Sequence, residues 1–231
     1  MLIGQLLEDH RAAKPAIIFE GRAYSYAELD DLSNQFAHLF GKLRLETGDR
    51  VSMLIGNEPL VVAAYFGMFK TGVIANPINN RLTVEETAYV LGHSGSRLLI
   101  TSPEFLPLAV SAVETLDVKP AILLLGAAPG VAVPVSVLSD AELFAQPRAP
   151  RRVEGLTRTT PILLIYTSGT TGRPKGVLLT HANVWADGLA LSQGFRLTED
   201  HVALCMMPLF HCNALIVSHI AGFIARSTIL L

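Results

Sequence analysis

Apolar and polar positions along the chain fall into two alternating rhythms. After Ser25, the residues Leu29, Leu32, Phe36, Leu39, Phe40 and Leu43 recur at three- and four-residue spacing, which predicts an amphipathic helix over about 26–43. Ser25 and Glu28 have capping-box spacing at its start. Thr83 and Glu86 repeat that device ahead of a second helix over about 84–92. AIIFE and RAYSY flank Glu20-Gly21 and read as a small hairpin. From Asp49 the rhythm becomes strand and helix in turn: RVSMLIG, PLVVAAYFGMFK, GVIANPI, SRLLIT, a helix near 103–116, and AILLLG. Apolar strands alternating with helices predict an α/β fold, with parallel-rich sheets covered by helices on both faces.

Residues 146–160, QPRAPRRVEGLTRTT, interrupt this alternation with two prolines, four arginines and a glycine. They read as a solvated connector between an N-terminal α/β subdomain over 1–145 and the start of a second subdomain over 161–231. The second part predicts strands at 161–166, 177–179 and 202–206, with helices at about 181–192 and 213–225. The closing STILL reads as the opening of a further buried strand.

Composition narrows the classes. At 231 residues, half of them hydrophobic, the chain is long enough to bury a sizeable core. A net charge of −2 and a pI of about 6.4 give no global pull toward nucleic acid or anionic lipid. Two cysteines, Cys205 and Cys212, suit a reducing compartment better than a disulfide scaffold. MLIGQLLEDHR does not read as a signal peptide, and the most apolar stretch, 214–225, is broken by Ser218 and His219. A spanning helix needs roughly 18 apolar residues, so no transmembrane segment is expected and the cytoplasm is the expected location. The mean hydropathy, +0.41, is nonetheless high for a free-standing domain.

The chemistry concentrates at residues 166–176, YTSGTTGRPKG, set between the apolar runs PILLI and VLLT. Gly169, Gly172 and Gly176 allow close approach of a ligand to the backbone. Turns of this kind aim successive N–H groups into a concavity that suits anions. Thr167, Ser168, Thr170 and Thr171 add hydroxyls, Lys175 adds a positive charge, and Pro174 restricts where that lysine emerges. The set suits a polyphosphate. A Walker A loop fails on spacing, since five residues on from Gly169 and Gly172 stand Pro174 and Val177. No GxGxxG dinucleotide fingerprint is present here.

YTSGTTGRPKGV resembles the phosphate-binding signature of the adenylate-forming superfamily, which includes acyl- and aryl-CoA synthetases, luciferases and peptide-synthetase adenylation domains. FKTGVIANPINNRLTVEETAYVLGHSGSRLLIT and the later MPLFHCNAL resemble two further regions of that family, so the resemblance covers residues 6–231. Met207-Pro208-Leu209-Phe210-His211 is similar to the form found in acyl-CoA and aryl-CoA synthetases rather than in peptide-synthetase domains.

That resemblance implies the incomplete N-terminal part of the adenylate-forming large domain. It also implies a two-step reaction. A carboxylic acid attacks the α-phosphorus of MgATP, and the thiol of coenzyme A then displaces AMP from the acyl adenylate. By resemblance, Thr167, Ser168, Gly169, Thr170, Thr171, Gly172 and Lys175 bind the phosphates, with Lys175 and His211 in catalytic roles. Phe210, His211, Asn213 and Leu215 are the implied substrate pocket. From residue chemistry alone, His211 is open to two readings, a donor to a substrate carboxylate or a satisfied core histidine. Thr167 is the implied magnesium contact, although a lone hydroxyl is a poor ligand and a carboxylate must come from elsewhere.

Family members are more than twice this long, so the expectation is an N-terminal portion, inactive alone, of an ATP-dependent acid-thiol ligase. An adenylation domain loading a carrier protein and a non-catalytic nucleotide-binding module are the alternatives, and homo-oligomerisation stays open.

Overall fold

In the computed structural model, residues 1–8, 13–127, 136–167 and 173–231 are described. A short 3-10 turn at Ile3–Gln5 precedes β1 (Pro15–Phe19) and β2 (Arg22–Ser25), an antiparallel hairpin whose turn residues, Glu20 and Gly21, take φ of 48° and 78°. α1 (Tyr26–Lys42) starts at the expected capping box: Ser25 Oγ accepts from Glu28 N, and the Glu28 carboxylate accepts from Ser25 N. β3 (Arg50–Leu54), α2 (Pro59–Thr71), β4 (Ile74–Pro77), α3 (Val84–Ser94), β5 (Leu98–Thr101), α4 (Leu106–Glu114) and β6 (Ala121–Leu124) follow the predicted alternation. β7 (Val137–Ser139) and α5 (Asp140–Phe144) were not expected. After residues 146–160 come β8 (Pro161–Thr167), β9 (Lys175–Thr180), α6 (His181–Gly194) and β10 (Val202–Leu204). A π-helix at Asn213–Ile220, α7 (Ala221–Ile224) and β11 (Thr228–Leu230) complete the order.

The strands form two sheets. Seven run in the order β7-β6-β5-β3-β4-β8-β9, and four in the order β10-β11-β1-β2. The larger sheet is parallel except at its edge, where β8 and β9 pair antiparallel. Only residues 168–174 join them, too few for a parallel crossover of a dozen or more. Strands from both sides of 146–160 share each sheet, since β8 pairs with β4 and β11 pairs with β1.

Alternate strand residues feed opposite cores, which is why the central strands are apolar throughout. Val51, Met53, Leu98 and Ile100 pack with α1 and α2, while Leu54 and Leu99 pack with α3 and α4. α2 is buried on nearly every face, as a helix hydrophobic all round must be. Its Phe66 meets Phe223 at 5.7 Å, edge to face. Lys70, near its end, is buried and is met by Asp30 Oδ1 at 2.6 Å and Asn34 Oδ1 at 2.7 Å.

Residues 146–160, without helix or strand, lie along α1. Gln35 donates to the carbonyls of Phe144 and Gln146, Asn34 donates to that of Arg148, and Arg152 pairs with Glu8. Among the described residues no helix is long and apolar enough to cross a membrane.

Candidate active site

The hairpin β8–β9 carries the stem of the glycine- and hydroxyl-rich turn. Ile162 and Leu163 anchor β8 in the core, and exposure rises toward Thr167. Thr167 stands directly opposite Lys175 in the register, and opposed residues of an antiparallel pair share a face. A hydroxyl and an exposed ammonium therefore flank the turn from the same side. Ser168, Gly169, Thr170, Thr171 and Gly172 lie outside the described residues. Gly176 stands opposite Tyr166, and a Cβ there would come within 2.8 Å of Leu164 Cδ1 and 3.5 Å of Tyr166 Cζ. Glycine leaves the room these side chains need across the strand pair. Burial raises the Tyr166 pKa, with Tyr89 adding to the shift and Arg50 opposing it.

The second motif is held from beneath by two residues that the sequence pattern did not single out. Asn57, between β3 and α2, donates to the Met207 carbonyl at 3.0 Å and accepts from Leu209 N at 2.7 Å. It pairs with that backbone as a neighbouring strand would. Tyr65, fully buried on α2, donates to the Leu209 carbonyl at 3.0 Å. Burial and, secondarily, Cys212 push its pKa well above the usual phenol range. Phe210 and His211 follow, exposed enough to meet ligand, with ring centroids 4.3 Å apart. The chain then turns into the π-helix, where His219 Nδ1 lies 2.9 Å from the Ala214 carbonyl. π-helical turns are rare and cluster at functional sites.

Both motifs open onto one cleft of about 580 Å³. Its walls come from the end of β4 and beyond (Pro77, Ile78, Asn79), from α3 (Glu86, Val90), from the hairpin (Tyr166, Thr167, Pro174) and from Phe210, His211 and Cys212. Thr167, Phe210 and His211 are thus brought together. Lys175 and Asn213 are exposed but do not line the cleft, and Leu215, 1% exposed, belongs to the core behind it. Asn79, Glu86 and Cys212 line the cleft without having been picked out for it; Glu86 had been recognised only as a helix cap. Burial, then Asp187, raises the Cys212 pKa and keeps its thiol protonated.

No group of three or more metal-ligating side chains occurs among the described residues. One hydroxyl, Thr167, and one carboxylate, Glu86, are too few for a magnesium cage. They fit an ion carried in on a nucleotide's own phosphates.

Two sheets covered by helices, an antiparallel hairpin flanking a glycine-rich segment and a cleft shared with a Phe-His pair define the N-terminal portion of an adenylate-forming large domain. The chain belongs to the family of AMP-binding enzymes, whose family model matches residues 7–231. Among curated proteins it is 36% identical to a crotonobetaine/carnitine–CoA ligase of Citrobacter koseri, over 94% of this chain and 43% of that protein. It is 34% identical to the Escherichia coli protein of that name, over 97% and 44% respectively. Among solved structures, an anthranilate CoA ligase in complex with anthranoyl-AMP superimposes with a TM-score of 0.92 at 25% identity, covering 100% of this chain and 45% of its own. Apo MatB from Rhodopseudomonas palustris shares the fold at a TM-score of 0.85 and 24% identity, covering 100% and 45%. The chain spans less than half the length of the curated relatives it matches.

Proposed function

We propose that this chain supplies the phosphate grip and part of the substrate cleft of an AMP-forming acyl-CoA synthetase. The observation that carries this reading is the meeting of Thr167, at the foot of the glycine-rich turn, with Phe210 and His211 in one cleft. Residues 167–172 and Lys175 hold the β- and γ-phosphates of ATP, with magnesium arriving on those phosphates. A bound magnesium ion would add positive charge beside them. Thr167 and Glu86, both lining the cleft, are the side chains that would hold such an ion, and the Lys175 ammonium offsets charge that builds on the departing pyrophosphate.

The carboxylate of the acid substrate attacks the α-phosphorus, the bond to the β-phosphate oxygen breaks, and pyrophosphate leaves with its electron pair. In the second half the thiol of coenzyme A, giving up its proton, attacks the acyl carbon and releases AMP. His211 donates a hydrogen bond to a substrate carboxylate oxygen, and Phe210 forms the apolar wall beside it. Asn213 borders the pocket and Leu215 backs it from the core. The relatives named for small acids favour a small carboxylic acid as substrate. These 231 residues correspond to less than half of those relatives, and we assign them nucleotide and carboxylate binding rather than complete turnover.

The test is calorimetric titration of the chain with MgATP, together with crystals soaked in a non-hydrolysable analogue. The triphosphate is expected against residues 167–175, with Lys175→Ala weakening binding about tenfold, or roughly 1.4 kcal/mol. A nucleotide found elsewhere, or Lys175→Ala binding as the parent does, would overturn the assignment.

A further inference from the structure

One turn of α3 touches both ends of the phosphate-binding segment. Tyr89 and His93 lie four residues apart on the same helix face, their rings stacked with centroids at 5.4 Å. On the upstream side, His93 Nδ1 lies 2.7 Å from the hydroxyl of Tyr166, with the rings edge to face at 5.7 Å. On the downstream side, Tyr89 donates its hydroxyl proton to the Pro174 carbonyl at 3.2 Å, and the Arg173 guanidinium lies 5.7 Å from the Tyr89 ring centre. Tyr166 immediately precedes Thr167, and Pro174 immediately precedes Lys175. The two contacts thus fix the residues from which the flanking hydroxyl and ammonium emerge.

The cluster sits at the rim of the core, where Tyr89 and Tyr166 pack against the apolar residues under α3 and α4. His93 and Arg173 are exposed, and Tyr89, Tyr166 and Pro174 are half-buried. The His93–Tyr166 hydrogen bond is exposed, and an exposed bond contributes little to global stability. It can, however, hold Thr167 and Lys175 in fixed directions, and groups already in place need not be ordered when a ligand binds.

We propose that Tyr89 and His93 are positioning residues, a clamp on α3 that holds both stems of the phosphate-binding turn in their ATP-receiving arrangement. The proposal rests on residues 167–175 being the phosphate site. Tyr89 acts through the Pro174 carbonyl on the direction of Lys175, and His93 acts through Tyr166 on the placement of Thr167.

The experiment measures MgATP affinity and melting temperature side by side for Tyr89→Phe, His93→Ala, His93→Asn, Tyr166→Phe, the double variant His93→Ala/Tyr166→Phe, and Lys175→Ala. Tyr89→Phe deletes one hydroxyl and keeps the ring stack, and His93→Asn keeps a polar atom near the Nδ1 position. Expected are three- to tenfold weaker binding for Tyr89→Phe and His93→Ala with melting within about 2 °C of the parent, and substantial rescue by His93→Asn. The double variant should be no weaker than the worse of its single parents, because both remove the same bond. If Tyr89→Phe and His93→Ala bind ATP like the parent while Lys175→Ala does not, the clamp is wrong and the phosphate site stands. Weakening that tracks a matching fall in melting temperature assigns the cluster to general stability and also overturns the clamp. Absence of ATP binding by the parent chain sinks both.

Discussion

Lys70 shows how a charge survives inside this core. Its side chain is 1% exposed, and its ammonium donates to Asp30 Oδ1 and Asn34 Oδ1 on the facing helix. Lys70→Met would leave the Asp30 carboxylate, itself 16% exposed, without its counter-ion. The expected cost is about 3 kcal/mol of unfolding free energy in urea, with part recovered in Lys70→Met/Asp30→Asn.

Two buried histidines make a different prediction. His181 accepts from Ile3 N through Nδ1, His219 faces the Ala214 carbonyl, and the Nε2 atom of each is buried without a protein partner. Burial pushes both pKa values down to about 4, from 6.5. The unfolded chain takes up protons near pH 6.5, whereas the folded chain resists them until about pH 4. Stability is therefore full above pH 6.5 and falls as the pH drops toward 4, by on the order of 2 kcal/mol per histidine. Urea midpoints at pH 7, 5.5 and 4.5 should decline accordingly, and His219→Gln should flatten the trend. A midpoint constant across that window would refute the assignment.

Among elements, local signals were read well. The capping boxes at Ser25 and Thr83 start α1 and α3 where the hydroxyl-carboxylate spacing placed them, because caps are satisfied within one turn of chain. The stretch 213–225 was harder. It predicted one regular helix but holds a π-helix followed by α7, and in NALIVSHIAGFI the few polar residues are too sparse to betray the wider turn. β10 stops at Leu204 rather than 206, although Cys205 N still donates to the Leu230 carbonyl at 2.8 Å. The glycine-rich turn was legible because its chemistry is contiguous. The support under Phe210 and His211 was not, because Asn57 and Tyr65 reach it across about 150 residues of sequence. The contact of α1 with α2 offers an element-scale test at Gly67, where a Cβ would lie 2.6 Å from Phe36 Cβ and 2.9 Å from Ser33 O. Alanine gains about 1 kcal/mol of helix propensity there, yet two rigid backbones must part to admit it. Gly67→Ala is expected to destabilise by about 1–3 kcal/mol, read as a lower melting temperature; an unchanged or higher one would show that the helices separate freely.

For the molecule as a whole, the sharing of both sheets by early and late strands governs cooperativity. Phe36 and Phe66 share the larger core cluster with Ile162, Val184, Phe223 and Ile229, so residues on both sides of 146–160 build one apolar centre, while a second, smaller cluster under α3 and α4 is built from buried residues of 1–145. A single unfolding transition is expected, with far-UV dichroism and the fluorescence of Trp185, the lone tryptophan, superimposing across a urea titration. Two resolved steps would show that residues 1–145 and 161–231 melt separately. The pairing of Ile17 with Ile229 also has a consequence during synthesis. At about 5–20 residues per second, a ribosome needs roughly 10–40 s to travel from β1 to β11. Throughout that interval one edge of the nascent β1 stands open beside an unfinished core, so the growing polypeptide is the form most in need of a chaperone.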